Sequence, residues 1–109
     1  MLRPPRWEAE QRLIENHFPN FAPFATDHEI GFSGWLPGGR GRRYAVLVKA
    51  RIRDYPQREP KVFMRPHIGS HWFADGSLCW HMDGQQWNPS RDTFFKVLIV
   101  VLNYLKCFE

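Results

Sequence analysis

Tyr44-Ala45-Val46-Leu47-Val48-Lys49-Ala50-Arg51-Ile52 is the stretch that decides the fold. Tyr44, Val46, Val48, Ala50 and Ile52 alternate with Ala45, Leu47, Lys49, Arg51 and Arg53. Residues two apart share one face of a strand. The segment therefore reads as a half-buried strand, basic toward its end, of the kind found in antiparallel sheets with one wet face. Upstream, Pro37-Gly38-Gly39-Arg40-Gly41 is a turn. Before it, Ile30, Phe32 and Leu36 alternate with polar or small residues, which predicts a strand over His28 to Leu36. The two strands and the turn make a hairpin. Downstream, Asp54-Tyr55-Pro56 breaks the pattern. Lys61 to Arg65 (KVFMR), between Pro60 and Pro66, is a third short strand.

Farther out the period changes. Trp7, Gln11, Ile14 and Phe18 fall at helical spacing, with Glu8, Glu10, Arg12 and Glu15 mostly off that line. This predicts an amphipathic helix over Arg6 to His17, ended by Pro19. Residues 19–27 read as irregular, with Phe18, Phe21 and Phe24 folding back on the core. Phe94 to Cys107 is apolar on nearly every face and follows the capping residues Asp92 and Thr93. It predicts a helix buried against the strand that carries Val46 and Val48. The expected architecture is α+β in a single domain, 1–109: an N-terminal helix, an antiparallel meander sheet, a long loop and a buried C-terminal helix.

The totals bound the classes. The 109 residues allow one domain, and 43% hydrophobic and 16% aromatic content is that of a globular chain. The net charge of +4 permits an acidic partner without requiring one. Two cysteines make no disulfide framework and fit a reducing, cytoplasmic setting. The longest apolar run, Val97 to Leu102, falls far short of the ~20 residues of a membrane span. The start, MLRPPRWEAEQ, has no secretory pattern. The turn Gly38 to Arg43 is basic but lacks interleaved aromatics, so it reads as a solvated hairpin tip and nucleic acid is not expected.

Residues 67–89, HIGSHWFADGSLCWHMDGQQWNP, carry the chemistry. Glycines at 69, 76 and 84 and Pro89 argue against regular structure, so this is a long loop pinned by Trp72, Trp80 and Trp87. Cys79 follows the turn signal Asp75-Gly76. Asp54-Tyr55-Pro56, Glu59-Pro60-Lys61-Val62, Asp75-Gly76-Ser77-Leu78-Cys79, Gln86-Trp87-Asn88-Pro89 and Lys96-Val97-Leu98 occur in that order, with Trp87 eight residues after Cys79. In order and spacing they resemble the ubiquitin-conjugating enzymes, over roughly Trp7 to Phe108.

The resemblance implies a ubiquitin-conjugating (UBC-like) fold and a modifier held as a thioester on Cys79. The partners it implies are an activating-enzyme-like protein, a ubiquitin-like modifier and an acceptor protein, with no cofactor. Two features depart from the family. The asparagine of its His-Pro-Asn triplet falls on His71, and the usual last two helices are missing. A shortened core of this kind looks like bacterial relatives encoded in antiphage operons.

A free thiol near pKa ~8.5 already exchanges with a thioester. Discharge onto an amine builds an oxyanion, for which His71 offers an N–H donor in place of the asparagine. His81 sits where relatives carry an aspartate near the incoming lysine and is the candidate base. Cys107, near the end of an apolar helix, reads as a buried small hydrophobe. Two other classes stay open. One is a non-catalytic binding module of the same fold. The other is a zinc site on His67, His71, Cys79 and His81, whose spacing fits no common zinc pattern.

Overall fold

The structure, a computed structural model, describes residues 3–67, 72–80 and 86–108. Its elements are α1 (Trp7–His17), β1 (Ala22–Ala25), β2 (Glu29–Pro37), β3 (Arg43–Arg51), β4 (Lys61–Arg65) and α2 (Phe94–Phe108). The strands form one antiparallel meander in the order β1-β2-β3-β4. Alternation works as expected in β3, where Tyr44, Val46, Val48 and Ala50 are buried. Register carries that face across the sheet: Ile30 pairs with Ala50, Phe32 with Val48, and Val48 with Val62. The β2–β3 turn closes with Gly41 at φ +82°, a conformation glycine adopts without strain.

Both helices cover the inner face of the sheet. Phe94, Val97, Leu98, Val101, Tyr104 and Leu105 recur at helical spacing and are all buried. Trp7, Phe32 and Phe94 join α1, β2 and α2, with ring centroids 5.1, 5.3 and 6.1 Å apart. Fully burying such side chains is worth about 1.5–3 kcal/mol each.

Four details depart from the expectation. Ala22–Ala25 is a strand; Pro23 hid it, but proline is tolerated on a sheet edge, and β1 is one. Glu10 does not lie off the buried line: it is 4% exposed, between Trp7 and Ile14. The backbone of α2 also approaches β2, while its side chains share one core with Val46 and Val48 of β3. Its burial is one-sided, since Ile99 is 36% exposed and Cys107 is exposed rather than buried. Thr93 is the cap: its Oγ1 accepts from the N–H of Lys96 at 3.3 Å.

Candidate functional site

Cys79 follows a closed turn. The N–H of Phe73 donates to the carbonyl of Ser77 at 2.8 Å, and that of Gly76 to Phe73 at 3.0 Å. Gly76 takes φ +88°, so the Asp75-Gly76 signal does what its residues allow. Asp75 Oδ1 accepts from both the N–H and the hydroxyl of Ser77, and Oδ2 accepts from Lys61. Trp72 and Leu78 bridge across the turn, and the N–H of Leu78 donates to Val62 at 2.7 Å, docking the segment on the edge of β4. The described part of this loop is thus held by one isolated bridge and one backbone bond to β4.

This docking sets the thiol. Leu78 and Trp80 are buried, at 1% and 4% exposure, and Cys79 between them is half-buried. Trp80 Nε1 donates to Pro60, and Trp87 Nε1 to Pro56 at 2.6 Å. The two indoles meet edge to face, 6.3 Å between centroids. Trp87 lies 6.0 Å from Tyr55, and Tyr55 4.7 Å from Phe94. An aromatic chain thus runs from the hydrophobic core to the residue after Cys79. Trp80 and Trp87 pin the described residues on either side of 81–85, and Trp72 packs partly against the core. A groove of about 690 Å³, lined by Pro60, Phe73, Leu78, Trp80 and Trp87 among others, lies beside the segment. Cys79 is not among the residues that line it.

Of the other candidates, His71 and His81 lie outside the described residues. His67 is exposed and stacks on Trp72 at 3.9 Å. Among the described residues no three His, Cys, Asp or Glu side chains gather as metal ligands. Two of the four zinc candidates, however, are His71 and His81.

A buried polar cluster behind the site was not foreseen. Glu10 Oε2 accepts from the Tyr55 hydroxyl at 2.6 Å and pairs with Arg6 at 3.1 Å; Oε1 accepts from the N–H of Phe94 at 2.8 Å. A side chain of α1 thereby satisfies one of the orphan donors at the start of α2. Arg6 also donates to Tyr55 and to the carbonyls of Asp92 and Pro89, which ties down the segment following Trp87. Burial pushes the Glu10 carboxyl above its ordinary value, against the bonds from Tyr55, Phe94 and Arg6. Burial, and then the charge of Glu10, push the Tyr55 hydroxyl far up. The signal that could have found this cluster is the spacing Trp7, Glu10, Ile14, which places a carboxylate on the apolar line.

No protein-family profile, curated protein or solved structure matches this chain. The likeness to conjugating enzymes rests on the order and spacing of its own motifs.

Proposed function

We propose that this protein carries a ubiquitin-like modifier as a thioester on Cys79 and passes it to an acceptor amine, in a UBC-like fold. One observation supports the reading above the others. The segments ending in Cys79 and beginning at Gln86, whose spacing resembles the family's, are brought together by Trp80 and Trp87, with Cys79 itself half-buried. In the first step the Cys79 thiolate attacks the carbonyl of the modifier's thioester on an activating enzyme. A new C–S bond forms, and the activating enzyme's thiolate leaves. In the second step an acceptor amine attacks the same carbonyl. The amide forms, Cys79 leaves as thiolate and the amine's proton goes to a base. His71 as oxyanion donor and His81 as base belong to this second step.

Intact mass after incubation with a candidate modifier, its activating enzyme and ATP tests the proposal. The expected product is a reductant-sensitive adduct that Cys79→Ala abolishes. Cys107→Ala is the necessary control, because Cys107 is exposed, and it should leave the adduct intact. An adduct surviving in Cys79→Ala would sink the assignment. No adduct with any modifier, on a folded protein, would favour the non-catalytic binding module. His71→Ala should load normally yet discharge onto free lysine ~10²–10³ more slowly.

A further inference from the structure

The outer face of the sheet, opposite the helices, gathers residues that are scattered in the sequence. Its strand cations are Arg43, Lys49, Arg51, Lys61 and Arg65, against Glu29 on the strands and Asp54, Glu59 and Asp75 around its hollows. Lys49 and Lys61 stand directly opposite each other, an arrangement that costs stability in a sheet. Lys49 pairs with Glu29 and Lys61 with Asp75. Arg43, Arg51 and Arg65 have no ion pair among the described residues, and all three are exposed.

Aromatic rings lie between these cations. The Arg43 guanidinium sits 4.4 Å over the half-buried Trp35 ring, and Lys49 Nζ lies 5.6 Å from the Phe63 ring. Trp35 pairs with Ala45 and Ala45 with Arg65, so Trp35 and Arg65 share one row across three strands. Phe63 is the common wall of two hollows, of about 730 and 370 Å³. Arg65 and His67 help line the first, and Lys49, Arg51 and Lys61 the second. The lack of interleaved aromatics holds for the turn Gly38 to Arg43 but not for this face.

We propose that this face binds single-stranded nucleic acid, with the phosphates on the arginines and bases stacked at Trp35 and Phe63. The charge is of the right sign for a polyanion. The rings choose among polyanions. A carboxylate gains nothing from an aromatic face, which carries negative charge density, whereas a base stacks on it. A sheet face reaches bases only when they are splayed out, which selects single strands over duplex. The proposal is independent of Cys79.

Anisotropy of a labelled oligouridylate of about ten nucleotides, on the full chain, tests it. Three phosphate contacts give a log–log salt slope near −2, so affinity should fall about 20-fold between 50 and 200 mM salt. The double variant Arg43→Gln/Arg65→Gln should weaken binding and cut the slope to about −0.7. Phe63→Ala should weaken it about fivefold or more with the slope unchanged. Should Phe63→Ala not fold in a thermal melt, the double variant on exposed arginines carries the test. Three results would overturn the proposal: no binding at 50 mM salt, equal binding of a duplex of the same length, or equal binding of a polyglutamate peptide. The last would make the face a dock for an acidic protein.

Discussion

The α1–α2 junction and the turn before Cys79 each hold a carboxylate against a cation and a backbone N–H, and they respond in opposite ways. At the junction Glu10 is buried and its carboxyl is pushed up. In the turn Asp75 is exposed, and Lys61, with Ser77, holds its carboxyl well below the usual range. Asp92 lies between the two cases. Its burial acts to raise the carboxyl, but bonds from Asn88, Lys96 and Arg91 outweigh that and hold it low. The same kind of contact is therefore a rigid constraint where water is excluded and a weak, screened one where it is not.

The largest expected effect follows from removing the buried carboxylate. Glu10→Ala leaves the Tyr55 hydroxyl and the Phe94 N–H without their acceptor and the Arg6 guanidinium without its counter-charge. Breaking a buried pair from one side costs about 3–5 kcal/mol. Urea denaturation would measure it. A loss below about 1 kcal/mol would mean that water reaches the cluster and that the junction resembles the turn after all.

A pH profile sharpens the same comparison. A carboxyl raised by folding favours the folded state when protonated. The Glu10 contribution is therefore fully present below its ordinary value of 4.5 and is lost as pH rises through the folded value. Asp92 has the opposite sign. Its contribution is present above its ordinary 3.8 and is lost as pH falls through the folded value. Stability should then rise as pH drops from neutral toward 4.5 and fall again below 3.8. Glu10→Gln should flatten the first limb and Asp92→Asn should blunt the second. Melting temperatures every half pH unit would show it, and a Glu10→Gln profile that keeps the first limb would reject the assignment to Glu10.

The two regions also differ in how legible they were. Strands β2 to β4 and both helices follow from periods of two and 3.6, because one face of each element is apolar in the chain itself. Cys79 and its turn were legible because Asp75-Gly76 is local chemistry. β1 was not, because four residues with a proline make no alternation. The inward turn of Glu10 was hidden by its charge, since besides Arg6 on its own helix the carboxylate is satisfied by Tyr55 and Phe94, 45 and 84 residues away. The outer sheet face was hidden likewise. Only register brings Trp35, Arg43, Phe63 and Arg65 together, and register across three strands needs the apolar faces and both connections read jointly.

The smallest effect belongs to Asp75. Its carboxylate faces solvent, so the Lys61 pair is screened, and both side chains give up freedom to hold it. The turn has other support in the Phe73–Ser77 backbone bonds and the positive φ of Gly76. Asp75→Asn keeps an Oδ1 acceptor for Ser77 and loses only the charge. Its unfolding midpoint should shift less than either change at Glu10, and the shift should shrink further at 0.5 M salt, a concentration chosen to bring the Debye length down to about 4 Å. Asp75→Ala also removes the acceptor for both Ser77 donors and should shift it more. The order Glu10→Ala, then Asp75→Ala, then Asp75→Asn is what burial predicts. If Asp75→Asn at low salt unfolds the chain as readily as Glu10→Ala, exposure does not weaken the pair, and the segment before Cys79 is held by charge rather than by Leu78 and Trp80.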